Sequence, residues 1–505
     1  MSSKADLLHV GKNISEPDPK FLCDQSLLEA KKNYWKERIG NIKKVVAPMV
    51  DQSELAFREF MRSHGADLCF SPMIHAHLFT TDATYRKVSL STCKSEQEKP
   101  FIIQFCGNDP HTLLMASRYV EGFCNGVDLN LGCPQLIAKK GNYGAYLQEK
   151  RELIYEMVNK VYLHCKLPIS VKIRVQNTVE DTISYATMLE SAGASMITIH
   201  GRTRDMRGPN TGIADWKHIA AVKKVLNIPL IANGNIQVPG DLERCLEITG
   251  ADAVMSAEGI LFNPLLFENS FEPCYVVAKD YLEYAKKYDG NISAVRAHIF
   301  RICHHTLIRH DDLRNKMSII TSFPDFESII TELERRTEAT EEDYKKGKEL
   351  FAQYTSHPSV SLKDFIEATP YWFSKPYIRP MIDSTKQCES EYRIQKRAEI
   401  QKQADATGLS KRQIRKKERR RIDVLRVRDA KQSFPPCKRC SQPASSSCYN
   451  SSCRKCCRLI CMVDFLNCPI HKYVAEKLKP YRDAFLASQN VQQGVETAGS
   501  TSISS

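Results

Sequence analysis

The sequence predicts an α/β protein in which a (β/α)8 TIM barrel precedes a helical domain, a basic helical segment and a small Cys-rich module. Three observations support this order: apolar runs alternate with helical stretches from Lys44 onward, a purely helical pattern follows Asp280, and cysteines cluster near the C-terminus. We place an N-terminal extension at residues 1–40, the barrel at 41–278, the helical domain at 279–385, a basic linker at 386–434, the Cys-rich module at 435–475 and a polar, partly disordered tail at 476–505.

The barrel is predicted from eight short apolar runs, each followed by a segment with helical spacing. The runs cover residues 45–50, 68–73, 101–105, 127–131, 169–173, 196–199, 229–232 and 253–255. Alternating strands and helices imply right-handed parallel crossovers, and eight such units match a closed barrel. A doubly wound open sheet is the alternative, but no G-x-G-x-x-G follows the first strand.

Composition narrows the class of protein. The chain has 505 residues, 42% of them hydrophobic, and no apolar run approaches the roughly 20 residues that span a bilayer. Its N-terminus lacks the apolar core of a signal peptide. We therefore expect a cytoplasmic or nuclear protein without membrane association, whose 19 cysteines are reduced thiols or metal ligands.

Polar residues gather where the predicted strands end. In a barrel these ends converge on one face, where active sites are built, and the loops after the last two strands often bind phosphate. Each residue alone also has a structural explanation, such as a turn or a solvated strand end. The set comprises Pro48 and Met49, Gln104, Asn130 and Cys133, Lys172 and Arg174, His200 and Arg202, Asn233 to Asn235, and Ala257 to Gly259.

The segment 126–134 is the most informative of these ends, because a buried strand stops there at a Gly-Cys-Pro turn. The turn would lift Cys133 out of the core and into a loop. A core cysteine beside a tight turn is the alternative interpretation. Without an adjacent histidine, Cys133 is a poor candidate for a thiolate nucleophile, whereas a protonated thiol is a competent general acid.

These motifs resemble the flavin-dependent tRNA-dihydrouridine synthases over residues 45–264. The resemblance rests on the sequences at residues 47–50, 130–134, 140–145, 171–174, 198–202 and 232–235. Residues 133–147 are similar to the eukaryotic type 1 branch, which modifies uridines 16 and 17 in the D-loop. One departure is that Ala257 and Glu258 stand where many members have Gly-Arg. Glutamate cannot neutralise a phosphate, so that role would pass to Arg202 or to backbone donors.

The resemblance implies FMN at the barrel mouth, reduced by NADPH or by NADH. Hydride would then pass from the flavin to C6 of a flipped-out uracil while Cys133 protonates C5. The implied substrate contacts are Asn130, Lys139, Arg174 and Arg202. The implied cofactor contacts are Pro48, Met49 and Val50 beside the ring, Gln104 and Lys172 at its polar edge, His200, Asn233, Gly234 and Asn235 toward the phosphate, and Ala257 and Glu258 on the last strand.

Positive charge is concentrated after the helical domain. Residues 393–431 hold 15 Lys/Arg and 5 Asp/Glu, a net charge of +10 (15 − 5), out of +13 for the chain. The run 411–421 consists almost entirely of good helix formers. A basic helix of this kind predicts a polyanionic partner, here tRNA, and is also typical of a nuclear localisation signal. A solvated helix without a partner is the alternative.

The Cys-rich module has eight cysteines and one histidine within residues 437–471. In an intracellular chain with few apolar residues nearby, this density predicts bound Zn²⁺. The spacing resembles the cross-braced MYND or HIT finger, which also suggests a protein partner. That resemblance implies two ligand sets, Cys437, Cys440, Cys457 and Cys461 for one ion and Cys448, Cys453, Cys468 and His471 for the other. Cys456 would be spare, unless it replaces Cys457.

The helical domain offers two weaker signals. Four histidines within residues 298–310 invite a metal site, but their spacing and the lack of acidic co-ligands disfavour it. The aromatic run 371–377 fits core packing better than base stacking.

Two other functions compete with the synthase. The first is an FMN-dependent reductase of a free pyrimidine, an enzyme class with a similar barrel and a similar Asn-x-x-Cys-Pro strand end. A small substrate does not need the basic segment, which argues against it. The second is a non-catalytic RNA-binding or partner-binding protein, against which the intact Cys133 and Lys172 argue.

Overall fold

The computed structural model describes residues 21–91, 100–337, 339–356, 362–377, 391–410, 413–414, 435–440, 442, 444, 448 and 450–483. The chain forms two compact units, residues 1–383 and 384–505. Most of the basic run 411–421, and the polar tail from residue 484, lie outside the described residues. None of the helices formed by the described residues is long and apolar enough to cross a bilayer.

Eight parallel strands close into a barrel in the first unit. The strands pair in the order β1, β2, β4, β5, β6, β7, β8 and β9, and β9 pairs with β1. The closure confirms the predicted barrel and excludes the open sheet. The strands are β1 Lys44–Val46, β2 Leu68–Phe70, β3 Ile74–His75, β4 Phe101–Cys106, β5 Gly126–Asn130, β6 Ile169–Arg174, β7 Met196–His200, β8 Leu230–Asn233 and β9 Ala253–Ser256.

Two strands end earlier than predicted, each close to a proline. β1 ends at Val46, two residues before Pro48, and β2 ends at Phe70, two residues before Pro72. Proline has no N–H to donate to a ladder, so neither strand continues. After Pro72 the short strand β3 pairs with β4 alone and lies outside the ring.

Helices surround the barrel and an N-terminal helix closes its base. Trp35 of α1 is fully buried among the side chains that fill the barrel interior. Those interior side chains are Val45, Leu68, Phe70, Ile102, Met196, Ile231, Ala253 and Met255. The helices are α1 Gln25–Arg38, α2 Leu55–Ser63, α3 Ala76–Thr81, α4 Ala83–Ser91, α5 Pro110–Tyr119, α6 Leu136–Gly141, α7 Arg151–His164, α8 Val179–Ser191, α9 Trp216–Lys223, α10 Asp241–Thr249 and α11 Glu258–Phe262.

A set of helices follows the barrel within the first unit. They are α12 Cys274–Lys287, α13 Ile292–Ile302, α14 His304–Leu307, α15 Asp311–Ile319, α16 Phe323–Thr337, α17 Glu341–Ser356 and α18 Leu362–Ala368. A buried polar contact joins them to the barrel, since Glu54 accepts hydrogen bonds from Tyr281 Oη and His298 Nε2, both at 3.1 Å. Burial alone would raise the pKa of Glu54, but the charge and hydrogen bond of His298 lower it.

The histidines and aromatic residues of this region serve packing. His298 stacks on Phe57 with ring centroids 4.2 Å apart, and His305 Nε2 donates to the carbonyl of Pro376. Among the described residues, no His/Cys/Asp/Glu group suited to a metal lies in these helices. Trp372 and Phe373 are buried in a separate apolar cluster, as the sequence indicated.

The second unit contains α19 Glu391–Thr407 and α20 Arg454–Val463. Around α20 lies a small core made largely of cysteine side chains, with Leu478 as its buried aliphatic residue. Few apolar residues contribute to it, as expected for a module that depends on metal.

Candidate active site at the barrel mouth

Two side chains hold the backbone at Gly132 and Cys133. Asn130, the last residue of β5, accepts hydrogen bonds on Oδ1 from the N–H of Gly132 (3.2 Å) and of Cys133 (2.9 Å). Arg174, at the end of β6, donates from Nε to the carbonyl of Gly132 at 2.8 Å. Cys133 is half-buried at the mouth, against the cluster formed by Cys106, Ala138 and Tyr143. The thiol is therefore presented in a fixed position.

A buried chain of hydrogen bonds supports Asn130 from below. Asn130 Nδ2 donates to Gln104 Oε1 at 2.9 Å, and Gln104 Nε2 donates to Asp128 Oδ2 at 2.8 Å. Ser170 Oγ donates to the other carboxylate oxygen of Asp128 at 2.7 Å. Burial raises the pKa of Asp128 to about 6, although Gln104, Ser170 and Lys172 act to lower it. Gln104 is itself fully buried, and its two hydrogen bonds orient Asn130.

Lys172 is one of three cationic side chains at the mouth, with Arg174 and Arg202. Its Nζ donates to Asn233 Oδ1 at 3.0 Å, and Asn233 Nδ2 donates to the carbonyl of Met255 at 2.8 Å. Burial, together with the neighbouring charge of Arg174, lowers the pKa of Lys172 to about 8. Lys172 therefore carries its charge at neutral pH but loses it in mildly alkaline solution.

The ends of β7 and β8 are joined by Arg202. Its Nη1 donates to His200 Nε2 at 3.0 Å, and its Nη2 donates to Asn235 Oδ1 at 2.6 Å. Burial, aided by the charges of Lys172, Arg174 and Arg202, lowers the pKa of His200 well below its usual value. His200 is therefore neutral at pH 7, and its proton lies on Nδ1 because Nε2 accepts from Arg202.

The turn after β8 requires glycine at one position. Gly234 has a φ of +114°, and a Cβ there would lie 2.7 Å from Ala214 Cβ and 2.8 Å from His200 Cδ2. The next residue, Asn235, has a φ of +58°. After β9, Ala257 and the half-buried Glu258 begin α11. Partial burial lowers the pKa of the half-buried Arg301, and the negative charge of Glu258 opposes this shift.

The remaining predicted contacts lie around the rim. Met49 is half-buried and donates its N–H to Ser53 Oγ at 3.0 Å, between the half-buried Pro48 and the exposed Val50. Lys139 is exposed on α6, close to the thiol loop. Arg174 also donates to the carbonyl of Thr203 at 2.8 Å, so two of its three guanidinium nitrogens hold loops in place.

Sequence reasoning missed several residues of this site. Arg207 Nη1 donates to Tyr146 Oη at 2.6 Å and to the carbonyl of Pro134, which fixes the residue after the thiol. No local motif marked Arg207 or Tyr146. Asp128 did carry a signal, because it is a carboxylate in the middle of an otherwise apolar strand.

The second unit holds two groups of metal-ligating side chains. Within each group the candidate ligand atoms lie within 4.8 Å of one another: Cys437, Cys440, Cys453 and Cys456 in the first, and Cys448, Cys457, Cys468 and His471 in the second. The structure groups these side chains differently from the predicted pairing. Cys453 and Cys456, not Cys457 and Cys461, accompany Cys437 and Cys440, because Cys456 and Cys457 point from α20 toward different groups.

Comparison with known proteins identifies the class of enzyme. The family model for dihydrouridine synthase matches residues 45–353, and the chain belongs to this family. A Mus musculus relative, an NAD(P)-dependent tRNA-dihydrouridine(16/17) synthase-like protein, is 38% identical over 465 residues, which cover 92% of this chain and 94% of the relative. The tRNA-dihydrouridine(16/17) synthase of Schizosaccharomyces pombe is 39% identical over 368 residues, 68% of this chain and 90% of the relative.

Relatives of a second kind match a shorter part of the chain. The human tRNA-dihydrouridine(20a/20b) synthase-like protein is 39% identical over 231 residues, which cover 45% of this chain and 71% of the relative. The relatives named for positions 16 and 17 thus align over a larger share of this chain than this relative does.

Proposed function

We propose that this chain reduces the C5–C6 bond of uridine in the tRNA D-loop, at positions 16 and 17, with NADPH as the electron source and NADH as a possible substitute. The observation that carries the proposal is the Cys133 loop, held at the barrel mouth by Asn130 and Arg174 in a chain of the dihydrouridine synthase family. The choice of positions follows the relatives that cover most of the chain.

The residues at the mouth suit FMN. A phosphate dianion and the electron-rich carbonyl oxygens and ring nitrogens of a flavin call for cationic and neutral donors. Lys172, Arg202 and neutral His200 provide them. We assign the polar edge of the ring to Lys172 and its flank to Pro48, Met49 and Val50. We assign the phosphate side to His200, Asn233, Gly234 and Asn235 and to the backbone donors of Ala257 and Glu258. A flavin held by these residues would supply redox chemistry, the transfer of hydride from the nicotinamide cofactor to C6 of the uracil.

Cys133 supplies the proton in this proposal. Its Sγ–H protonates C5 on the side of the ring that faces the loop, and general acid catalysis of this kind contributes roughly 10² to 10⁴ in rate. Asn130 and Arg174 position the thiol through the backbone of Gly132 and Cys133. Gln104 acts one step further away, because it holds the amide of Asn130 and is itself held by Asp128.

Substrate binding is assigned to the rim and to the regions after the barrel. Lys139 is exposed next to the thiol loop and suits a phosphate contact, and the net charge of +10 in residues 393–431 suits tRNA.

Zn²⁺ is the metal proposed for the second unit, which suits a protein partner as well. We place the enzyme in the cytoplasm, the nucleus or both, since the basic segment is also typical of a nuclear localisation signal.

The direct test is to map dihydrouridine in tRNA from cells that lack this protein. We expect dihydrouridine at positions 16 and 17 to disappear and to return when the wild-type chain is expressed. Unchanged dihydrouridine at both positions would contradict the proposal, and reduction of free uracil by the purified chain in preference to tRNA would support the pyrimidine reductase instead.

The basic segment gives a prediction about salt. Changing Lys411, Arg412, Arg415, Lys416, Lys417, Arg419, Arg420 and Arg421 together to Gln should weaken tRNA binding and flatten its dependence on salt. Each lost phosphate contact should reduce the slope of log affinity against log salt concentration by roughly 0.7 to 0.9. Filter binding at several salt concentrations measures the slope. An unchanged slope would show that this segment makes no phosphate contacts with tRNA and would favour its role as a nuclear localisation signal.

Gly144 gives a prediction about the thiol loop. Its φ is +65°, and a Cβ would lie 2.8 Å from the carbonyl oxygen of Cys133. Gly144→Ala should therefore displace Cys133 and lower the rate of dihydrouridine formation by at least about tenfold, since misplaced catalytic groups lose rate steeply. Gly122→Ala is the matched control, because Gly122 also has positive φ, +84°, but has open space around it. Equal activity in both variants would contradict the prediction.

A further inference from the structure

We propose that the second unit binds two zinc ions in a partition that the ligand spacing alone does not give. The first ion would be bound by four thiolates, from Cys437, Cys440, Cys453 and Cys456. The second would be bound by three thiolates and an imidazole, from Cys448, Cys457, Cys468 and His471. Cys461 would bind neither ion.

Separations within the groups fit tetrahedral zinc. With Zn–S bonds of about 2.3 Å, tetrahedral geometry places sulfur atoms about 3.8 Å apart. Cys440 and Cys453 have their Sγ atoms 3.6 Å apart in the first group. In the second group, Cys448 Sγ lies 3.7 Å from Cys457 Sγ and 4.0 Å from Cys468 Sγ. Cys468 Sγ also lies 3.6 Å from His471 Nδ1. These distances leave room for one ion among each set of four.

Helix α20 explains how the two groups divide consecutive cysteines. Neighbouring residues of a helix point about 100° apart, so Cys456 and Cys457 face different sides. Cys456 turns toward the first group and Cys457 toward the second, and Cys453 precedes the helix as its N-cap residue. One helix would thus contribute to both ions, which would brace the module around α20.

One ligand sulfur in each group accepts a hydrogen bond from a neighbouring residue. The N–H of Arg439 donates to Cys437 Sγ at 3.5 Å, and Asn450 Nδ2 donates to Cys457 Sγ at 3.3 Å. Donors of this kind stabilise thiolates and orient them on a metal. Each group therefore has one candidate ligand oriented in this way.

Cys461 is the informative exception. It lies one turn after Cys457 on the same face of α20, fully buried, with its Sγ 3.8 Å from Cys457 Sγ. It belongs to neither group of mutually close ligand atoms. The partition therefore assigns Cys461 to the apolar core beside the second ion and assigns Cys456, which spacing left spare, to the first.

Zinc content of the full chain tests the partition. The wild-type chain, dialysed against a buffer of fixed free zinc, should retain two ions by inductively coupled plasma mass spectrometry. Cys461→Ser should retain two, Cys456→Ser should lose at least one, and Cys456→His, which restores a donor, should retain two. Loss of zinc from Cys461→Ser, full retention by Cys456→Ser, or fewer than two ions in the wild type would overturn the partition.

A second inference concerns an apolar pair on α6. Leu136 and Ile137 are 66% and 64% exposed, only three and four residues after Cys133. The next residue, Ala138, is buried in the cluster against which Cys133 packs, so the pair is anchored to the thiol loop. Lys139 and Lys140 follow and are also exposed. Two large apolar side chains in solvent, beside a catalytic thiol and two lysines, indicate contact with the nucleic acid.

We infer that Leu136 and Ile137 contact the nucleotides on either side of the target uridine. This inference rests on the proposed function. A uridine that enters the barrel leaves its neighbours unstacked, and apolar side chains commonly fill such gaps in nucleic acid. Lys139 and Lys140 would neutralise the adjacent phosphates. The pair would thereby favour D-loop nucleotides over a free base.

Steady-state kinetics on the full chain test this contact. The double variant Leu136→Ser/Ile137→Ser should raise KM for unmodified tRNA on the order of tenfold, while NADPH still reduces the flavin at the wild-type rate. Val225→Ser is the control, because Val225 is 46% exposed and follows α9 at the opposite end of the barrel. An unchanged KM would overturn the inference. A wild-type chain that fails to reduce its flavin would instead contradict the proposed function.

Discussion

Replacing Cys133 with alanine is expected to abolish dihydrouridine formation while NADPH still reduces the bound flavin. The thiol is assigned only the proton transfer to C5, so its loss removes a general acid worth roughly 10² to 10⁴ in rate. Flavin reduction precedes that step and involves none of the atoms of Cys133. Stopped-flow absorbance would follow reduction of the flavin, and mass spectrometry of digested tRNA would follow the product.

Cys106→Ala is the matched control for this variant. Cys106 is buried in the cluster against which Cys133 packs, and burial raises the pKa of its thiol to about 12. It should therefore make no proton transfer, and its variant should retain dihydrouridine formation. Full activity in Cys133→Ala would show that the acid lies elsewhere at the mouth. Loss of activity in Cys106→Ala alone would assign the proton to that thiol.

Replacing Lys172 with methionine is expected to weaken FMN binding by roughly ten- to hundredfold. A hydrogen bond to a charged group contributes about 1.5–3 kcal/mol, and 1.4 kcal/mol corresponds to a factor of ten. Fluorescence titration of the flavin-free chain with FMN measures the affinity. Lys166→Met is the control, since Lys166 is exposed before the other end of the same strand, β6. Equal FMN affinity in both variants would remove Lys172 from the flavin site.

The affinity for FMN should also depend on pH, because Lys172 titrates. Because burial lowers the pKa of Lys172 to about 8, the flavin-free chain carries this charge below that pH and loses it above. FMN affinity should therefore fall as pH rises through about 8. His200 should not contribute in this range, because its pKa is lowered and its imidazole stays neutral. Lys172→Met should lack the alkaline fall, which a profile from pH 6.5 to about 9.5 would show.

The barrel and most of its mouth were predictable because they follow from local patterns. Alternating apolar runs and helical spacing indicated eight units, and parallel strands place their ends together, so Cys133 and Lys172 could be assigned to one face before any geometry was known. Strand ends near Pro48 and Pro72 were harder to place, since apolar residues continue past each point where the ladder stops.

The contacts that support the site could not be predicted from the sequence, because they depend on the register between neighbouring strands. Gln104 meets Asp128 only because the two residues pair across β4 and β5, and Asn130 pairs with Lys172 across β5 and β6. The grouping of the candidate zinc ligands depends on geometry in a similar way. Spacing cannot say whether Cys456 or Cys457 turns toward a given ion, since the answer depends on the rotation of α20.

Trp35 and the contact between Glu54 and His298 bear on where the catalytic domain begins and ends. The family match starts at residue 45, yet Trp35 fills the barrel interior from α1. At the other end, the carboxylate of Glu54 needs a partner from α13, far beyond the last strand. We therefore expect a fragment limited to the eight β/α repeats to be less stable than one that also includes α1 and α13. Without α1 the base of the barrel would lack Trp35. Without α13 the carboxylate of Glu54 would lose its contact with His298.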